Sequence, residues 1–112
     1  MSDVPAIASY HAHVYFDAAS REQAAILRER AGRELAVNVG RFHERNVGPH
    51  PRWSYQLEFA PAELARVVPW LMANRDGLTV FLHPNTGDAI ADHTRHAMWM
   101  GSMPDLNLDA LR

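Results

Sequence analysis

Seven histidines and no cysteine in 112 residues set the chemistry available to this chain. Most of the histidines stand in short punctuated segments: Tyr10-His11-Ala12-His13, Gly48-Pro49-His50-Pro51, Leu82-His83-Pro84 and Asp92-His93-Thr94-Arg95-His96. Imidazole is the commonest neutral metal ligand and the side chain that most readily moves protons near neutral pH. Without thiolates the chain has no disulfides, no cysteine nucleophile and no Cys-rich zinc site. The chemistry to look for is therefore an imidazole-ligated metal, acid–base catalysis, or both. Proline after His50 and after His83 restricts each of these residues to extended backbone, which pre-organises a ligand.

The elements that must position them follow from periodicity. Ser9 to Phe16 alternates, with His11, His13 and Tyr15 on one face and Ala12, Val14 and Phe16 on the other, which predicts a strand. Asp17 to Ala36 predicts a helix, with Ala24, Leu27, Ala31 and Leu35 as its buried stripe. Ser20 with Gln23 forms a capping-box pattern there, and Asp17 competes as the cap. Val37 to Glu44 and Arg52 to Phe59 predict two further strands. Pro61 opens a second helix running to about Asn74, in which Pro69 predicts a kink or a stop and restart. Leu78 to His83 predicts a fourth strand. Ala89 to Met100 reads as a short helix or irregular segment, residues 1–8 as a loose lead-in and Pro104 to Arg112 as a tail.

This β-α-β-β-α-β order predicts an α+β, ferredoxin-like domain over residues 1–112, a four-stranded antiparallel sheet with two helices on one face. We expect the first and third strands to be parallel neighbours at its centre. On that expectation His11, His50 and His83 come to one edge of the sheet, and His11, His13 and His83 share the open face. Glu58 shares that face but lies roughly 26 Å along a straight strand from His50, which removes it as a co-ligand of His50. Asp88 and Asp92, near His83, are the carboxylates able to act at or behind a metal. His43 reads as a bystander. Three histidines would suit a catalytic zinc site, and two with a carboxylate a non-haem iron site.

Composition narrows the rest. Apolar residues make up 47% of the chain, and the formal charge is −2. One packed core is affordable, and a basic nucleic-acid footprint is missing. No apolar run approaches the roughly 20 residues of a membrane span, and no signal peptide is read at the start, so a cytoplasmic location is expected. A sheet covered on one side only predicts a homodimer, with Trp53, Trp99 and the run Met98-Trp99-Met100 as candidate cover.

The four segments His11-x-His13-x-Tyr15-Phe16, Gly48-Pro49-His50-Pro51, Leu82-His83-Pro84-Asn85-Thr86-Gly87-Asp88 and Asp92-His93-Thr94-x-His96-Ala97-x-Trp99-x-Gly101 resemble, in order, the DOPA 4,5-dioxygenase family. The resemblance runs from about Tyr10 to Leu108. It implies a small extradiol dioxygenase that uses non-haem Fe(II) and O2 on a catechol such as DOPA. Zn(II) or Ni(II) are the other metals the imidazoles would accept. On this resemblance His13, His50 and His83 are the preferred ligands, with His11 as alternative or supporting partner. His93 is the first acid–base candidate and His96 the second. Arg52 or Arg95 would pair with a substrate carboxylate, and Tyr15 would hydrogen-bond a phenolic oxygen. A His-ligated zinc enzyme and a non-catalytic metal- or small-molecule-binding module are the competing functions.

Overall fold

Alternation along the first strand decides how the sheet faces its helices. In the computed structural model, which describes residues 3–112, strand β1 spans Ser9–Phe16 and buries Ala12, Val14 and Phe16 against the helices. Met1 and Ser2, the start of the expected lead-in, lie outside the described residues. Strands β2 (Asn38–Val39), β3 (Trp53–Phe59), β4 (Thr79–Asn85) and β5 (Met98–Met100) complete one sheet in the order β2-β3-β1-β4-β5, and every neighbouring pair is antiparallel. Helices α1 (Arg21–Glu34) and α2 (Leu64–Asn74) cover one face. Their Ala24, Leu27, Ala31, Val67 and Leu71 pack on Val14, Tyr55, Leu57, Val80 and Leu82 of the strands. The Tyr55 hydroxyl donates to the Ala24 carbonyl at 2.8 Å, so this buried phenol has a partner. Among the described residues no helix is long and apolar enough to cross a membrane.

The α+β class stands, but the sheet has five strands and the domain a third helix, α3 (Ala89–His93). Strand β5 comes from the segment read as helical or irregular. Three residues are too few to show a period; what fixes β5 is Trp99, which stacks on Phe81 across the β4–β5 pair at 4.3 Å. Gly101, at φ 85°, then turns the chain in a conformation that disfavours a side chain.

The expectation that β1 and β3 run parallel is overturned, since Tyr10 pairs Phe59 and Phe16 pairs Trp53. The reason is connectivity. The crossover through α1 returns β2 in the direction of β1, and the turn after β2 reverses the chain once more into β3.

Three local expectations also change. The strand read over Val37 to Glu44 shrinks to Asn38–Val39 and a single bridge from His43 to Ser54. Arg28 of α1 draws the Gly40 carbonyl to its guanidinium at 2.8 and 3.2 Å, which takes that carbonyl out of the ladder. Helix α1 begins at Arg21 without a capping box. Asp17 and Ser20 bond each other instead, and the Gln23 side chain donates to the Asp76 carbonyl. Helix α2 continues through Pro69, which is exposed together with Ala65, the residue whose carbonyl loses its helical donor.

Strand β4 runs two residues beyond His83, through Pro84. The Ala8 N–H donates to the Asn85 carbonyl at 2.9 Å, so the backbone groups of Asn85 face β1. By alternation the Pro84 nitrogen faces the β5 side, where β5 has already ended at the Met98–Leu82 pair. The tail Pro104 to Arg112 is folded back, with Leu108–Leu111 as a short 3-10 helix and the Asn107 N–H bonded to the Pro49 carbonyl at 2.9 Å.

Candidate metal centre on the open sheet face

Register places the polar face of the sheet row by row. His11 stands between Glu58 on β3 and His83 on β4. The next row holds Gln56, His13, Phe81 and Trp99, and the third Ser54, Tyr15 and Thr79. Directly paired residues on one face are roughly 5 Å apart, and residues two along a strand about 6.5 Å. Two histidines on β1 and one on β4 therefore suffice to bring three rings together. One nitrogen each of His11, His13 and His83 lies within 4.8 Å of the others. The Nε2 atoms of His13 and His83 are 3.1 Å apart.

That spacing is the fit test for a metal. Two imidazole nitrogens bound at about 2.1 Å and at right angles around an ion stand about 3.0 Å apart. The protonation pattern agrees. His83 Nδ1 donates to the Pro84 carbonyl at 2.9 Å, which leaves its lone pair on Nε2, facing His13. Burial, with smaller contributions from neighbouring histidines, lowers His13 well below the usual imidazole value. Burial is also the main cause at His83, where it outweighs the Pro84 hydrogen bond and brings the ring to about 4. Both rings are therefore neutral at pH 7, as metal ligation requires.

His50 reaches the site from outside the strands. The Asn46–Pro51 turn, with Gly48 at φ 53° and the His50 N–H bonded to the Val47 carbonyl, carries its ring to 4.1 Å from that of His13. Its Nδ1 is 2.7 Å from the Tyr15 hydroxyl. Burial raises the Tyr15 phenol, which keeps its proton. Burial, then His93 and the other nearby histidines, lower His50 to about 4. Tyr15 is almost fully buried, and its hydroxyl is engaged by His50.

His93 sits at the end of α3 with its ring 4.0 Å from that of His83. Its Nδ1 donates to the Ala89 carbonyl at 2.7 Å, which leaves Nε2 free to accept a proton. The two nearby carboxylates hold this helix in place. Asp88 caps it by accepting the Ala91 N–H. Buried Asp92 accepts the Thr86 N–H at 2.8 Å and the Thr86 hydroxyl at 2.6 Å. Burial alone would raise the Asp92 carboxyl, but these bonds outweigh it and hold it below the ordinary value.

The remaining sequence candidates lie farther out. His96 is 3.8 Å from Asp92 and lines an apolar groove of about 1030 Å³ with Tyr10, Leu64 and Leu82, on the helix side of the sheet and away from the imidazoles. Arg52 is exposed, 3.4 Å from the Ser102 hydroxyl, and borders a recess of about 260 Å³ beside Tyr15 and Thr79. Arg95 is exposed just beyond α3. His43 pairs its backbone with Ser54.

Sequence reasoning passed over two parts of this site. Glu58, too far along the strand from His50 to share a metal with it, is bonded to His11 at 3.0 Å. The antiparallel register would have found it, since it is the residue opposite His11. The Phe81–Trp99 stack depends on β5, which no period announced. Trp99 and His93 line a further recess of about 430 Å³, which Met103, Leu106 and Leu108 of the returning tail also border.

Known proteins are similar to this chain in sequence and in fold. The chain is 34% identical, over 91% of its length, to a DOPA 4,5-dioxygenase of Amanita muscaria, and covers 49% of that protein. It is 34% identical, over 93% of its length, to an uncharacterised 21.2 kDa protein of Botryotinia fuckeliana and covers 63% of it. The chain thus spans roughly half to two thirds of these curated relatives. A crystal structure of a protein from Nostoc punctiforme, described as a "putative dioxygenase", superimposes with a TM-score of 0.93 at 50% identity, covering 95% of this chain and 92% of that one. With the Dopa 4,5-dioxygenase family model matching residues 10–110, the chain belongs to that family.

Proposed function

We propose that the protein is an extradiol ring-cleaving dioxygenase that opens a catechol such as DOPA with O2 at a non-haem Fe(II). The observation that carries this reading is the convergence of His11, His13 and His83, with two Nε2 atoms at the separation of adjacent metal ligands. These three imidazoles would hold the ion. Bound there, Fe(II) supplies a template and Lewis acid for the catechol oxygens and O2.

The chain's own groups supply the proton handling. His93, whose Nε2 bears a lone pair beside His83, accepts a catechol hydroxyl proton and returns it as the ring opens. His50, anchored through Nδ1 by Tyr15, presents an Nε2–H donor beside His13. Tyr15 acts through His50 in this reading, in place of a direct bond to a phenolic oxygen. Phe81 and Trp99 give the substrate ring an apolar wall, and the recess of about 430 Å³ is in the range of small-molecule sites. Arg52 and Arg95 stay as candidate partners of a substrate carboxylate at the rim. In the reaction both atoms of O2 enter one product, and the carbon–carbon bond beside a catechol hydroxyl breaks to leave an aldehyde and a carboxylate.

Anaerobic loading with Fe(II), followed by a catechol and air-saturated buffer, tests the reading. We expect one O2 consumed per catechol and a yellow ring-opened product. A protein that takes up Zn(II) but consumes no O2 with Fe(II) and any catechol would instead be a zinc enzyme or a binding module. A homodimer stays part of the proposal: Val4 and Met98 are exposed at the apolar groove on the helix side, and a second copy there would bury them. Light scattering at twice the chain mass is the expected result, and a monomer mass would remove it.

A further inference from the structure

Glu58 is placed to decide which nitrogen His11 offers. Its carboxylate accepts from His11 Nε2 at 3.0 Å, and the two residues face each other in the β1–β3 register. Yet Glu58 is not among the side chains whose ligand atoms gather within 4.8 Å; that group is His11, His13 and His83 alone. A neutral imidazole that donates through Nε2 carries its lone pair on Nδ1. We propose that Glu58 is a positioning residue for the metal centre, fixing His11 as the Nε2–H tautomer and so directing Nδ1 to the ion. The inference rests on the reading of His11, His13 and His83 as the ligand set.

Several observations support this role. His83 is held in the complementary way, with its outer Nδ1 on the Pro84 carbonyl and Nε2 inward. Each of these two rings therefore has one nitrogen tied down and the other free. Glu58 is itself held from both neighbouring strands. It pairs with Asn38 on β2, and the His11 hydrogen bond, followed by smaller contributions from Asn38 and Ser9, keeps its carboxyl below the ordinary value. Among the described residues His11 is the one member of the group whose outer nitrogen meets a carboxylate. Such a partner fixes ring orientation and raises ligand basicity, and losing it typically costs 10- to 100-fold in metal affinity.

The test combines affinity with a tautomer measurement. Zn(II) affinity by chelator competition should fall about 10- to 100-fold in Glu58→Ala. Glu58→Gln, whose side-chain oxygen still accepts from Nε2–H, should recover part of the loss. Long-range 1H–15N spectra of the metal-free wild type should show His11 protonated on Nε2, and Glu58→Ala should lose that single tautomer. If Glu58→Ala does not fold, Glu58→Gln and the wild-type spectrum carry the test. His11 protonated on Nδ1, or a folded Glu58→Ala within twofold of wild-type affinity, would overturn the role of Glu58. Wild-type protein that takes up no Zn(II) or Fe(II) would overturn the ligand set itself.

Discussion

Replacing His83 by alanine is expected to abolish stoichiometric metal binding, the largest single effect the site predicts. His83 contributes more than a ligand atom. Its Nε2 faces His13 Nε2 at 3.1 Å, and its Nδ1 is tied to the Pro84 carbonyl, so the ring is fixed by the strand that carries it. The residue is almost fully buried. The loss should exceed the 10- to 100-fold typical of removing an outer-sphere partner. Metal content after anaerobic Fe(II) loading and desalting measures it directly. A folded His83→Ala protein that keeps one ion per chain would show that the ion sits elsewhere among the imidazoles, with His50 as the next candidate on the evidence of its contact with His13.

The second large effect falls on turnover with the metal retained. His93→Gln removes a proton acceptor from beside His83 while leaving the three gathered imidazoles in place. General acid–base groups contribute about 10²- to 10⁴-fold to rate, so kcat should fall within that range while Fe(II) content is unchanged. Asp88 and Asp92 secure the short helix that carries His93, which makes a local change at its end tolerable to the fold. A variant with wild-type kcat would remove His93 from the proton role.

Much of this was legible in the chain because the long elements carry their period openly. Strand β1 shows its two faces in eight residues, and β3 and the two long helices do so in seven or more. The β1 alternation, with that of β4, puts His11, His13 and His83 on one face. The parts that were not legible are those decided by tertiary contact. Strand β5 exists because Trp99 stacks on Phe81, and β2 is cut short because Arg28 takes the Gly40 carbonyl. Strand direction is likewise not written in the period of β3. With β3 antiparallel to β1, the start of β3 lies at the Phe16 end, so His50 meets Tyr15 and His13 from the loop, and Glu58 falls opposite His11. The convergence survived this because β1 and β4 alone carry the three gathered rings.

The central claim is that both atoms of one O2 molecule enter a catechol at this imidazole cluster. Mass spectrometry of the product formed under 18O2 by the Fe(II)-loaded protein tests it most directly, read before the aldehyde oxygen exchanges with water. The account predicts a ring-opened product that carries two 18O atoms, absent when His83→Ala is used. A quinone, or any product that carries no 18O while O2 is reduced to peroxide or water, would contradict it.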